Sequence, residues 1–169
     1  MKRRDFLAGI GLAGFSLISS AKESSAEETP MESPEKKNII LTIDDGPRNY
    51  MGDILDVLGD NKVIFYVIGN QLETSKGIYM ACKALEQGHM LGNHSYSHPS
   101  FSRISFEKAI KEILKTDINI GEIHAITEIP RKSKLFRFPY GDSGFYYNNG
   151  VANGSKSKRD ELGAFLKEN

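Results

Sequence analysis

Residues 39–47 read Ile-Ile-Leu-Thr-Ile-Asp-Asp-Gly-Pro, an apolar and β-branched run that ends abruptly in two carboxylates and a turn. A strand with one face in water alternates apolar and polar side chains. A run without alternation over residues 39–43 predicts a strand buried on both faces, as in a parallel sheet. The pattern then repeats along the chain. Met51, Ile54, Leu55 and Leu58 fall at helical spacing, and residues 63–68 (VIFYVI) predict a second buried strand stopped by Gly69-Asn70. Residues 75–87 predict a helix with Ile78, Ala81, Cys82 and Leu85 on one face and Gly88 as its stop. Residues 90–93 predict a short third strand. After Ser105 as N-cap, a helix runs from Phe106 to about Ile123, with Ala109, Ile110, Ile113 and Leu114 in its apolar stripe. Residues 135–138 predict a fourth strand, residues 141–158 a loop, and residues 159–167 the start of another helix. Strand and helix alternate, which predicts an α/β fold with parallel strands. Four strands are too few to close a (β/α) barrel.

Composition narrows the function classes. Basic and acidic residues balance at 22 each, so no strong field draws the chain to nucleic acid or an acidic membrane surface, and no nucleic-acid partner is expected. Cys82 is the only cysteine. It excludes an internal disulfide, and its apolar helical setting predicts a buried structural thiol. Residues 1–21 read apart from the fold. Lys2, Arg3 and Arg4 precede an apolar run over residues 6–18 in which Ser16 is the only polar side chain. That run is short of the ~20 residues a membrane span needs. It predicts a secretory signal peptide, and RRDFL (residues 3–7) has the twin-arginine pattern, with a general secretory signal as the alternative. The expectation is export to the periplasm, cell envelope or medium, with no stable membrane span once the signal is removed. Residues 22–37 (KESSAEETPMESPEKK) are half charged and hold two prolines, which predicts a flexible linker before a domain over residues 38–169.

Polar clusters fall at three predicted strand ends: Asp44-Asp45-Gly46-Pro47 after the first, His94 to Pro99 after the third, and Arg137 to Gly141 at the fourth. In parallel α/β folds the carboxyl ends of the strands share one face, where active sites lie. Taken singly, each cluster is weak. An Asp-Asp-Gly-Pro is usually only a turn, and two histidines four apart arise by chance. Together they place two imidazoles and a carboxylate on one face. That is a three-ligand set with open positions, as at catalytic zinc and some iron sites.

LTIDDGP (residues 41–47), GHMLGNHSYSHP (88–99) and LFRFPYG (135–141), in this order, resemble the first three motifs of the polysaccharide deacetylase family (carbohydrate esterase family 4). KVIFYVIG (62–69) is similar to the family's second strand. The resemblance spans residues 38–141 or so. It implies a partial, distorted (β/α) barrel with parallel strands and with its C-terminal strands missing. It also implies site roles. Asp44 would be the general base. Asp45, His94 and His98 would bind a divalent metal ion, zinc first. Arg137 would hold Asp44, and the backbone N–H of Tyr140 would help bind the oxyanion. The implied reaction removes N-acetyl groups from an N-acetylglucosamine-containing polysaccharide, chitin-like or peptidoglycan; a few members remove O-acetyl groups from xylan.

The departures set a second expectation. The family has a fourth motif with aspartate and tryptophan and a fifth, Leu-x-x-His, whose histidine protonates the leaving amine. This chain has no tryptophan, and its other histidines are His89, which reads as a turn residue, and His124, which reads as surface. The sequence given stops where the family continues, so activity impaired by truncation is expected, with a metal- and sugar-binding pseudoenzyme as the alternative. A two-histidine, one-carboxylate iron oxygenase is disfavoured. Such enzymes are all-β, and that reading leaves Asp44 and Arg137 without a role.

Overall fold

The computed structural model describes residues 38–169. The export signal read over residues 1–21 and the linker read over residues 22–37 lie outside the described residues. The elements run β1 (Thr42–Gly46), α1 (Met51–Leu58), β2 (Ile64–Val67), α2 (Ser75–Glu86), β3 (Met90–Asn93), α3 (Phe106–Thr127), β4 (Phe145–Asn148), β5 (Val151–Gly154) and α4 (Lys156–Glu168). Three short 3₁₀ turns lie between them, at Gly69–Glu73, Phe101–Arg103 and Pro139–Gly141.

The first three strands form a parallel sheet in the order β1-β2-β3. Its register sets Ile43 beside Phe65 and Phe65 beside Leu91. It also brings Gly46, Val67 and Asn93 level, so the chain leaves all three strands on one edge. The core follows from the apolar pattern. Phe65, Val67 and Leu91 of the sheet pack with Met51 and Leu55 of α1, Ala81 and Leu85 of α2, and Ile120 and Ile123 of α3. A second cluster joins Phe101, Ala109, Ile113 and Leu162, with Phe136 and Phe138 against it. The helices start at side-chain caps. Thr74 Oγ1 accepts from the Gly77 N–H ahead of α2, and Ser105 Oγ from the Lys108 N–H ahead of α3. No helix among the described residues is long and apolar enough to cross a membrane.

Several expectations need correction. The first strand is not the buried run over residues 39–43. It starts at Thr42, and Ile39 and Ile40 are exposed because no described element packs over them. The fourth strand is a single parallel bridge, Asn93 to Phe136, held by the Asn93 N–H on the Leu135 carbonyl and the Arg137 N–H on the Asn93 carbonyl. Pro139 lacks an N–H, and the chain turns at Pro139–Gly141 before pairing can extend. The segment read as a loop is a hairpin, β4 antiparallel to β5, followed by α4 from Lys156. Its two-residue turn is Asn149-Gly150, both with positive φ, the geometry that Asn-Gly favours in a hairpin. Cys82 is half-buried at the edge of the core rather than inside it. His124 is half-buried too, with Nδ1 2.8 Å from the Ile129 carbonyl. Among the described residues the parallel sheet stays open at three strands, and no barrel closes.

Gly92 in β3 shows how tightly the sheet's upper face is packed. A Cβ there would lie 2.6 Å from the Tyr66 ring. That ring is buried and carries the Arg137 guanidinium 4.2 Å from its centroid, so it has little room to retreat. Gly92→Ala is therefore expected to cost about 1–3 kcal/mol by overpacking. A lowered urea midpoint with an unchanged slope is the expected result; an unchanged midpoint would mean that the Tyr66 ring is free to move.

Candidate active site

Each residue singled out in the sequence emerges from one edge of the sheet. A register shift between Asp44 and Gly46 leaves Asp45 out of the ladder, with φ 66°. The bulge turns its carboxylate toward the loop that follows β3. In that loop Ser95 and His98 also have positive φ, 64° and 59°. Side chains hold the loop in this shape. Asn93 donates to the Ile113 carbonyl and accepts from the Ser95 N–H, and Ser95 Oγ accepts from the His98 N–H. Glu112 of α3, buried at 7% exposure, accepts from both the N–H and the hydroxyl of Ser97 at 2.7 Å. Asn93 and Glu112 were not singled out in the sequence. The signal for Glu112 was a carboxylate one residue before Ile113 in the apolar stripe of a long helix.

The result is a convergence of three lone-pair donors. Asp45 Oδ1 lies 3.1 Å from His98 Nε2 and 3.5 Å from His94 Nε2, and the two Nε2 atoms are 3.2 Å apart. These are the atoms a metal ion would take. His94 Nδ1 lies 2.8 Å from the Arg137 carbonyl, so Nδ1 carries a proton and donates, and in that tautomer Nε2 points inward as a lone pair. Burial holds His98 below the usual histidine range, with Asp45 pulling partly the other way, which keeps this ring neutral at neutral pH. Asp45 Oδ1 is buried and has no hydrogen-bond donor. A carboxylate oxygen and two imidazole lone pairs at this spacing repel one another unless a cation lies among them, so the residues present fit a divalent ion.

Asp44 and Arg137 stand beside this cluster. Arg137 Nη1 donates to Asp44 Oδ1 at 2.9 Å and to Thr42 Oγ1 at 2.9 Å. The other oxygen, Asp44 Oδ2, lies 3.9 Å from His94 Nε2 and is left facing the cluster. Tyr140 has φ 60°, and its exposed ring lies 4.6 Å from that of His98. The structure thus brings together Asp44, Asp45, His94, His98, Arg137 and Tyr140. His89 and His124 sit apart. His89 is buried at the amino end of β3, where Nδ1 accepts from the Val63 N–H and burial lowers its pKa. A cleft of about 620 Å³ adjoins the cluster, lined by His98, Arg103, Tyr140, Asp142 and Tyr146 among others.

Asp142 is a further residue that the sequence did not signal beyond its place after Pro-Tyr-Gly. Its buried carboxylate accepts from the Ser100 hydroxyl and from the N–H groups of Ser102 and Gly144. Burial pushes its pKa up, but these donors outweigh burial and hold it below the ordinary aspartate value. A depressed carboxylate stabilises the fold fully above the unfolded value of about 3.9, and that contribution disappears as pH falls through the lower folded value. Asp142→Ala is expected to cost about 2–4 kcal/mol at neutral pH. The gap from the parent in urea unfolding should close only below about pH 4.

The family profile described as polysaccharide deacetylase matches residues 31–158. The chain is 34% identical over 128 residues to the peptidoglycan-N-acetylmuramic acid deacetylase PdaC of Bacillus subtilis, which covers 74% of the chain and 25% of that protein. It is 42% identical over 93 residues to an uncharacterized 30.6 kDa protein of Geobacillus stearothermophilus, covering 53% of the chain and 34% of that protein. The solved structure of Bacillus subtilis PdaC superposes with a TM-score of 0.57 at 29% identity, over 78% of this chain and 57% of that one. The chain therefore spans about a quarter to a third of the length of these curated relatives.

Proposed function

The chain belongs to the polysaccharide deacetylase family, and we propose that it hydrolyses N-acetyl groups from an N-acetylglucosamine-containing polysaccharide, chitin-like or peptidoglycan. The observation that carries the reading is the convergence of Asp45, His94 and His98 beside an Asp44 held by Arg137. Two imidazoles and one carboxylate suit zinc. A divalent ion held there supplies Lewis acidity toward the acetyl carbonyl and acidifies water. The chain's own groups do the rest. Arg137 occupies one oxygen of Asp44, which fixes the carboxylate and leaves Oδ2 to accept the proton of the attacking water. The Tyr140 N–H donates to the developing oxyanion. The departing amine needs a proton, and His89 and His124 lie elsewhere among the described residues. Absence of a positioned acid costs about 10²–10⁴ in rate, so turnover by these residues alone is expected to be slow. A pseudoenzyme that only binds metal and sugar is the less favoured reading, because the base and its arginine remain paired beside the ligands. The open three-stranded sheet is consistent with one arc of a distorted (β/α) barrel.

Two measurements test this. His94→Ala or His98→Ala should remove the bound divalent ion, read by metal analysis of purified protein. In the parent, occupancy should fall only as pH drops well below the ordinary imidazole value of about 6.5, since imidazole must be neutral to bind and burial lowers the His98 value. Asp44→Asn should keep the metal and lower release of acetate from N-acetylglucosamine oligomers by about 10²–10⁴-fold. Metal content unchanged by both histidine substitutions, or turnover unchanged by Asp44→Asn, would overturn the assignment. Export remains part of the proposal, since the substrate lies outside the cytoplasm. Joint replacement of Arg3 and Arg4 by lysine is expected to block it, and undiminished export would point to the general secretory route.

A further inference from the structure

We propose that Arg103 selects glycans that carry a carboxylate, so that the cleft beside the metal cluster takes acidic acetylated polymers in preference to neutral ones. The proposal rests on the deacetylase reading and names the substrate class of the same site. Arg103 lines the 620 Å³ cleft together with His98, Tyr140 and Tyr146, so a ligand in that cleft meets the guanidinium and one of the candidate metal ligands, His98. Arg103 is exposed and makes no ion pair among the described residues. The other ionised group on the cleft wall, Asp142, is buried and its oxygens are taken by Ser100, Ser102 and Gly144, so it does not pair with Arg103.

The guanidinium is also carried on a fixed platform. Arg103 closes the turn Phe101–Arg103, in which its N–H donates to the Ser100 carbonyl at 3.0 Å. Phe101 anchors the turn in full burial between Phe136 and Phe138. Asp142 ties the turn to the loop that bears Tyr140. Lys158 of α4 donates to the Ile104 carbonyl at 2.7 Å from the other side. A planar fork of donors matches the geometry of a carboxylate, and the fixed turn sets where along the cleft it can reach. Tyr146, half-buried on β4, adds an aromatic ring to the cleft lining, suited to the apolar side of a sugar ring.

The test measures binding by calorimetry to the full chain loaded with zinc. Three probes are used: a neutral N-acetylglucosamine tetramer, a muramyl tetrasaccharide with free lactyl carboxylates, and the same glycan with those carboxylates amidated by a peptide that carries its own. At least one carboxylate-bearing probe should bind about 5–20-fold tighter than the neutral tetramer. That preference should shrink with added salt and vanish in Arg103→Gln, with thermal unfolding unchanged. Arg103→Lys should restore part of it. Which acidic probe is preferred separates a lactyl from a peptide carboxylate. Equal affinity for all three probes, or equal loss of neutral and acidic binding in Arg103→Gln, would overturn the proposal. Binding does not require turnover, so absence of acetate release from every probe would count against the deacetylase reading and leave this inference to be decided by the affinities.

Discussion

Arg137 is the residue through which the site becomes one object. Its N–H bonds to the Asn93 carbonyl at the end of β3, and its own carbonyl receives His94 Nδ1. Its guanidinium reaches β1 at Thr42 and Asp44 while resting on the Tyr66 ring of β2. One side chain and its peptide groups therefore fix the tautomer of one imidazole, the orientation of the carboxylate beside it, and the spacing of three strand ends. The ion pair itself is partly exposed, and such pairs add ~1 kcal/mol or less. Its importance is geometric. A single rigid fork cannot satisfy Thr42 and Asp44 unless β1 and the segment after α3 keep their distance.

That arrangement was largely legible in the sequence because each member sits directly after an apolar run. Strand ends are easy to find, and parallel topology places them on one face, so Asp44, Asp45, His94, His98 and Arg137 could be grouped without coordinates. Elements whose existence depends on partners far along the chain were less legible. Residues 39–41 have the composition of a buried strand, yet burial needs a cover that the described residues do not supply. Residues 135–138 are apolar enough for a strand, but pairing ends after one bridge where Pro139 breaks the ladder. The hairpin at residues 145–154 was misread for a different reason. Its glycine and asparagine content suggested a loop, while the Asn149-Gly150 pair between FYYN and VANG was the turn signal of two strands.

The supports of the site were nearly invisible in the sequence, because a buried polar residue is identified by its partner rather than by its neighbours. Glu112 looks like any helix glutamate until α3 crosses the Ser97 loop, and Asp142 looks like a turn aspartate until the Ser100 turn lies over it. Both carboxylates collect donors from segments more than ten residues away. Each holds one of the two loops that flank the cluster, so the histidine loop and the Tyr140 loop are fixed by separate buried carboxyl groups.

These anchors explain how the edge tolerates its backbone. Asp45, Ser95, His98 and Tyr140 all adopt positive φ without being glycine. The left-handed region costs an ordinary residue roughly 1–2 kcal/mol, so four such residues in one small region would relax if nothing opposed them. Opposition is visible for the histidine loop in the bonds from Ser95 to Asn93, from His98 to Ser95 and from Ser97 to Glu112. At Asp45 the backbone carbonyl accepts from Arg48 Nε at 2.9 Å, but the side-chain Oδ1 is buried without a donor. The strained residue whose side-chain oxygen is buried without a donor is thus also the one whose carboxylate faces the two imidazoles. A cation among those three atoms would relieve both the repulsion and the unsatisfied oxygen, so the strain at Asp45 and the shape of the donor set have the same physical remedy.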